Sequence, residues 1–377
     1  KVAVLGETGK LMAYTTIYPT EPKCDITGTE AVLKKLIEKF NINTIVIGNG
    51  TASSETEEVV ANFLAKNDYD VKYTIVNEAG ASVYSASKLA TEEYPDLDVT
   101  TRGAMSLGRR LQDPLAELVK ISPKHIGVGQ YQHDINQTLL ETALTNVVEN
   151  CVNRVGVDLN TASPSLLSYI AGVNMTIAKN IVAYREENGK FTSRTELKKV
   201  SKLGPKAFEQ CAGFLKIADG KNALDNTSVH PESYTAAKEL LKLCDYTDKD
   251  LKSGSAANIS ERVALRGLQK TAEELGIGVP TLEDIVKELE RPGRDPRDEL
   301  PPPMLRQEIM SMEDLKTGMK LKGTVRNVID FGAFVDIGVH QDGLVHISRI
   351  TDRYIKHPSE VLKVGDIVEV YVLSVDV

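Results

Sequence analysis

The stretch GTVRNVIDFGAFVDIGVHQDGLVHIS, Gly323 to Ser348, limits what its part of the chain can fold into more tightly than any other. Val325, Val328, Phe331, Phe334 and Val335 alternate with small or polar residues, and Gly332, Gly338 and Gly343 punctuate them. That pattern predicts short, strongly curved antiparallel strands joined by tight turns. Phe331 and Phe334 flank a Gly-Ala step, so two rings and a stretch of bare backbone are offered to something flat. His346 falls on the next strand, with Lys322, Arg326, Arg349 and Arg353 nearby in sequence. Every base has a π-face and every phosphate a charge, so stacking faces beside scattered cations suit single-stranded nucleic acid.

Residues 315–377 resemble the RNA-binding OB-fold domain repeated in ribosomal protein S-one. The blocks LKTGMKLKGTV, FGAFVDI, GLVHIS and LKVGDIVEVYVLSVDV carry the resemblance, in that order. It implies a nucleic-acid face formed by Phe331, Phe334 and His346. Tyr371 stands where that family often has a basic residue, which exchanges a charge for a ring able to stack. The family's last strand is expected beyond Val377.

A chain of 377 residues is expected to hold two to four domains. With 41% hydrophobic and 26% charged residues it has the composition of an ordinary globular protein. No apolar run approaches the roughly 20 residues needed to span a bilayer, and no signal peptide opens the sequence. Cys24, Cys151, Cys211 and Cys244 are scattered without a CxxC pair. A reduced, cytoplasmic, monomeric protein without metal, cofactor or membrane partner is the expectation. The net charge of −8 is unevenly spread. Residues 156–217 hold nine Lys/Arg against five Asp/Glu, whereas 218–314 hold thirteen against twenty. The local patch, not the total, sets the attraction for phosphate.

Residues 1–124 alternate strand and helix patterns. A β-hairpin over Val2 to Ile17 precedes a helix over Gly28 to Phe40. A strand at Asn43 to Ile47 runs into the glycine-rich turn GNGTASSET and a second helix. A further strand at Asp70 to Val76 leads through NEAGAS into a helix reaching Tyr94. This order predicts a mainly parallel, doubly covered α/β sheet with chemistry at the strands' carboxyl ends. Glu78, just past a strand, and Asp113, in RGAMSLGRRLQDPLAELVK, are the carboxylates placed for it. Carboxylates that converge with a third hold the paired metals of phosphodiester cleavage. The region resembles the YqgF-like branch of the ribonuclease-H-like fold. That resemblance implies catalytic roles for Glu78 and Asp113 and a first aspartate expected before Lys1. The alternative is that both are polar surface or capping groups.

Residues 125–155 form a bridge. The loop GVGQYQHD feeds a long helix from about Asn136 that would bury Leu139, Leu140, Ala143, Leu144, Val147, Val148 and Cys151. Adjacent His133 and Asp134 rarely aim at one reacting atom, so they are read as setting the helix entry. Residues 156–217 divide into two similar halves, LLSYIAGVNMTIAKNIVAYR and ELKKVSKLGPKAFEQCAGFL. Each is a helix, a tight turn centred on a hydrophobic residue and a second helix, the helix-hairpin-helix arrangement. Positive φ in the turn lets free N–H groups at the next helix start face a phosphate, with no base edge read. The candidate contacts are Gly172, Val173, Asn174 and Lys179 in the first half and Lys202, Leu203, Gly204 and Lys206 in the second. Both turns depart from the Gly-hydrophobic-Gly ideal, at Asn174 and Lys202.

Residues 218–290 read as acidic helices, with Tyr234, Ala237, Leu240 and Leu241 forming one side of the first. Residues 291–314 open with five prolines in thirteen residues and read as a semi-rigid linker that hangs the OB-fold on a stalk. The expected fold class is therefore multidomain: an α/β ribonuclease-H-like layer, all-α tandem helix-hairpin-helix and helical regions, and an all-β OB-fold.

The YqgF-like layer, GVGQYQHDINQ, the hairpins beginning VDLNTAS, VHPESY, the proline-rich stretch and the terminal OB-fold follow one another. That order resembles the Tex family of bacterial transcription accessory proteins, whose core is shared with eukaryotic Spt factors. The resemblance implies a non-catalytic scaffold that binds RNA or DNA in transcription, and a fragment without the family's amino-terminal region. Two other readings stand beside it: a metal-dependent nuclease or resolvase, and a protein-interaction platform for polymerase or ribosomal components.

Overall fold

The computed structural model describes residues 1–375 apart from 68, 128, 130, 255, 294, 300, 301, 304, 306–314 and 340. It divides into two compact units, Lys1–Glu78 with Pro301–Val377, and Ala79–Leu300.

In the first unit, β1 (Val2–Leu5) and β2 (Leu11–Thr15) form an antiparallel hairpin. After them come α1 (Ile26–Phe40), β3 (Thr44–Gly48), α2 (Ser53–Asn67) and β4 (Lys72–Val76). The Asp25 carboxylate starts α1 by accepting the Gly28 N–H at 2.9 Å, satisfying one of the donors a helix start leaves free. Strands β3 and β4 pair in parallel, from Thr44 opposite Lys72 to Gly48 opposite Val76, and α2 supplies the crossover that parallel pairing requires. Leu33, Ile37, Ile47, Phe63, Leu64 and Tyr73 form their shared core. The expected doubly covered sheet is not continuous among the described residues, where β1–β2 and β3–β4 are separate two-stranded ladders. Element order fixes a local crossover, but joining a hairpin to a parallel pair is a non-local choice that spacing does not encode.

The second unit begins with α3 (Ala81–Ser85), α4 (Lys88–Glu93), α5 (Val99–Gln112) and α6 (Pro114–Leu118). The single helix expected to reach Tyr94 is two, because the Ser87 hydroxyl accepts the Ala90 N–H at 3.1 Å and restarts the chain there. Leu115, Ala116 and Val119 pack against the helix-hairpin-helix core. Helix α7 (Gln137–Val155) starts as expected, with Asn136 Oδ1 accepting the N–H groups of Thr138 and Leu139. Its expected buried side is corrected. Val152 alone is fully buried on it, whereas Leu139 is 69% and Val147 58% exposed. Helical periodicity identifies an apolar stripe; burial needs an opposing surface, which the described residues do not place over this one.

β5 (Val157–Asp158), α8 (Pro164–Leu167), α9 (Met175–Asn188), α10 (Pro205–Cys211) and β6 (Leu215–Lys216) come next. β5 and β6 pair in parallel and close the two halves into one module. The halves pack crosswise. Asn180 of α9 donates to the Ser201 carbonyl of the second turn at 2.8 Å, and a Cβ on Gly172 of the first turn would meet Gln210 of α10 at 2.7 Å. Leu167, Ile181, Leu197 and Leu215 lie at the centre of the core.

Arg194, fully buried, ties this module to the helices on its carboxyl-terminal side. Its guanidinium donates to the carbonyls of Leu215 (2.6 Å), Val229 (2.8 Å) and Thr227, and to the Tyr234 hydroxyl (2.8 Å). Tyr234 in turn donates to Asp225 at 2.7 Å, and burial pushes its phenol up from the ordinary range. Around this point fold α11 (Tyr234–Leu243), α12 (Asp248–Lys252), α13 (Ile259–Arg266), α14 (Leu268–Leu275) and α15 (Val279–Glu290). Ala237, Leu240, Leu251, Ile259, Leu282 and Leu289 form their core. The beginning of the expected stalk is folded. Pro296–Glu299 makes a 3-10 turn, and Arg297 pairs with Asp295 at 2.7 Å and with Asp113 at 3.0 Å. Most of the linker beyond it lies outside the described residues.

The carboxyl-terminal segment forms a four-stranded antiparallel sheet of β7 (Lys320–Ile329), β8 (Gly332–Asp336), β9 (Gly343–His346) and β10 (Ile367–Tyr371), ordered β10-β7-β8-β9. Val325, Ala333 and Val335 line its buried side. Gly332 permits the close approach of β8 to β9, since a Cβ there would lie 2.4 Å from the Val345 carbonyl oxygen.

Two stability measurements test this packing. Arg194→Met would leave several buried carbonyls without a donor and should cost about 3–5 kcal/mol in denaturant unfolding. Lys202 has φ +65, a conformation that costs an L-residue roughly 1–2 kcal/mol. Lys202→Gly should therefore raise stability by about 1 kcal/mol after the entropy of the added glycine is subtracted.

Candidate nucleic-acid interface

Strand pairing decides which side chains of the β7–β10 sheet share its outer face. Thr324 is opposite Asp336, Phe334 opposite Leu344 and Gly332 opposite His346; on the other edge Lys322 is opposite Glu369 and Lys320 opposite Tyr371. Because β side chains alternate between faces, Phe334, Leu344, His346, Lys322 and Tyr371 project from one side, and Val325, Ala333 and Val335 from the other. Phe334 is half-buried in the sheet, whereas Phe331, in the turn between β7 and β8, is 52% exposed and Tyr371 61%. The Ile347 N–H donates to the Phe331 carbonyl at 2.9 Å, so the Phe331 turn and the segment after His346 are held together. His346 Nδ1 accepts the Ser348 N–H at 3.3 Å. The neutral ring therefore carries its hydrogen on Nε2 as a donor.

The cations of this face are not equivalent. Arg326 sits in a β-bulge and pairs with Asp336 at 2.7 Å. Lys320 pairs with Glu369 at 2.8 Å, and that hydrogen bond holds the Glu369 carboxyl below its ordinary range. Arg349 and Arg353 are exposed, and neither pairs with a carboxylate among the described residues. The sequence pattern missed Leu344, whose place two residues before His346 was the available signal, and missed Asp336 as the partner that compensates Arg326.

The two helix-hairpin-helix turns share one backbone geometry despite their different residues. Gly172 and Lys202 take φ +77 and +65, and Val173 and Leu203 are each 5% exposed. Asn174 and Gly204 are extended at the caps of α9 and α10. Asn174 Oδ1 caps the Ile177 N–H at 3.0 Å and leaves those of Met175 and Thr176 without an intrahelical partner. Gly204 provides no side-chain cap, and Pro205 has no N–H. Lys179, Lys202 and Lys206 are all exposed.

Glu78 lies just beyond β4, where its N–H donates to Asn49 Oδ1 at 3.0 Å and its carboxylate lies against Gly50. It thus sits with the glycine-rich turn at the carboxyl ends of β3 and β4. Asp113 has a structural occupation: its carboxylate caps α6 by accepting the Ala116 N–H at 3.1 Å and pairs with Arg297. His133 and Asp134 lie exposed in a 3-10 turn before α7. Burial pushes the Cys211 thiol up to about 12 and that of Cys244 upward as well, which suits packing rather than reactivity.

Four family models match the chain in order. They are the Tex protein YqgF-like domain over residues 1–112, the helix-hairpin-helix motif over 152–216, an HHH domain over 222–297 and the S1 RNA binding domain over 314–377. Protein tex of Bordetella pertussis is 51% identical over 379 residues, covering all of this chain and 47% of that protein. Transcriptional accessory protein Tex of Neisseria gonorrhoeae is 50% identical over 377 residues, covering all of this chain and 48% of that protein. The uncharacterized protein YdcI of Bacillus subtilis is 52% identical over 377 residues, with 52% of it covered. The chain spans about half the length of the curated relatives it matches. With the four modules in this order and half of its residues shared along its whole length, the chain is similar throughout to the Tex proteins.

Proposed function

We propose that this chain is a non-catalytic nucleic-acid-binding scaffold associated with transcription, which grips single-stranded RNA or DNA on the outer face of the β7–β10 sheet. One observation carries the reading: strand pairing presents Phe334, Leu344, His346 and Tyr371 on one side of a sheet whose other side is the domain's core. Phe331 stands at the edge of that face. Such a surface can stack successive bases without selecting their identity. The match to the S1 RNA binding domain and the name of the Neisseria relative support the assignment to RNA and to transcription.

The helix-hairpin-helix module adds phosphate contacts. The first turn is the better suited of the two, because it opens a 14-residue helix with free N–H groups and a neighbouring exposed Lys179. Helix α10 has seven residues and begins with proline, so its contribution rests on Lys202 and Lys206 as charges. Nuclease chemistry fits poorly at Asp113, since metal capture there requires opening the Arg297 pair and uncapping α6. A cytoplasmic, monomeric protein that meets the transcription machinery is part of the same reading.

In equilibrium binding to single-stranded RNA, Phe331→Ala with Phe334→Ala should cost about 1–3 kcal/mol for each stack lost. Unchanged affinity in the double variant would remove the sheet face from the proposal.

A further inference from the structure

Beyond the sheet face, the segment between β9 and β10 is built as a braced loop. At its start the Ile347 N–H is bonded to the Phe331 carbonyl. At its far root, His357 Nδ1 accepts the Ser359 N–H at 3.1 Å, and Nε2 lies 3.3 Å from Asp330 Oδ1. Asp330 adjoins Phe331, so the loop is bonded at its start to the turn that carries Phe331 and lies beside that turn at its far root. Glu360 Oε1 further accepts the N–H groups of Lys356 and His357 at 2.9 and 3.2 Å. Within the loop, Ile355 is 6% exposed and anchors the backbone, while its neighbour Tyr354 is 89% exposed. Tyr354 makes no hydrogen bond or ring contact among the described residues. Arg349, Arg353 and Lys356 surround it in sequence, all exposed and none paired with a carboxylate among the described residues. These three loop cations are thus uncompensated by carboxylates, whereas Arg326 and Lys320 on the sheet are compensated.

Resting on the function proposed above, we propose that this loop is a second platform for single-stranded nucleic acid, with Tyr354 stacking a base that has passed Phe331 and Arg353 and Lys356 holding its phosphates. A bare aromatic ring on an anchored loop loses little conformational freedom on stacking. The surrounding uncompensated cations match the charge of a phosphate backbone. Tyr354 lies three residues from His357, hence within about 10 Å of the root beside Asp330. One strand can thus pass continuously from the sheet onto the loop.

The test compares oligouridylates of about four and about twelve nucleotides, spanning the usual range of OB-fold site sizes, by fluorescence anisotropy on the 377-residue chain. Tyr354→Ala should lower the ratio of long- to short-oligomer affinity by about 5- to 100-fold. Tyr354→Phe should keep the ratio of the unsubstituted chain, because the ring is retained. Arg353→Ala with Lys356→Ala should reduce the steepness of log affinity against log salt by about 1.4 for the longer oligomer, the value for two phosphate contacts on a single strand. An unchanged ratio in Tyr354→Ala, an equal loss in Tyr354→Phe, or an unchanged salt slope would overturn the platform. Failure of the unsubstituted chain to bind either oligomer would instead overturn the sheet-face reading, so the two failures are distinguishable.

Discussion

The second unit depends on the burial of one charge. A guanidinium removed from water is costly unless its donors are all matched, and Arg194 meets that demand with carbonyls contributed by the segment that leaves the hairpin module. Leu215, Thr227, Val229 and Tyr234 must arrive together for the site to be satisfied. The hairpin core and the helical core are thereby joined through a single side chain. Asp225 completes the arrangement by accepting from the Tyr234 hydroxyl and from the Arg194 backbone N–H.

This burial changes the meaning of the local charge balance. Arg194 contributes to the basic count of residues 156–217 but is withdrawn from solvent. Arg185 and Lys216 donate to the carbonyls of Leu159 and Val155, and burial lowers the pKa of each. Lys198 lies over the Phe208 ring. Of the exposed lysines left to face a phosphate, Lys179, Lys202 and Lys206 lie at or close to the two turns. In the carboxyl-terminal sheet, carboxylates instead compensate Arg326 and Lys320, while Arg349, Arg353 and Lys356 on the loop after β9 have no carboxylate partner among the described residues. In both places the proposed binding follows the distribution of unpaired charge rather than its sum.

What could be read from the sequence divides along physical lines. The alternation of Val325 to Val335, with glycines at the turns, was enough to predict curved strands, because period-two burial is a local property. The helix-hairpin-helix turns were legible for the same reason: Gly172-Val173 and Lys202-Leu203 encode a backbone conformation over a few residues. Lys202 taking positive φ shows that the module's crosswise packing imposes the geometry even where the residue resists it. The buried side expected for α7 failed at Leu139 and Val147, since a stripe does not name its partner. The same limit hid Arg194, which looks like any surface cation until distant carbonyls converge on it, and hid the Arg297 pair that occupies Asp113. Tyr354 was not singled out in the sequence, because its exposure becomes informative only beside the buried Ile355 and the loop roots next to the Phe331 turn.

Nucleic acid carried on the outer face of the β7–β10 sheet is the central claim. Photo-cross-linking of the whole chain to 4-thiouridine-substituted single-stranded RNA, mapped by peptide mass spectrometry, tests it most directly, because adducts form where bases lie against side chains. Adducts should concentrate on Phe331, Phe334, His346 and the loop bearing Tyr354. Adducts confined to residues 1–290, with the sheet unlabelled at saturating RNA, would contradict it.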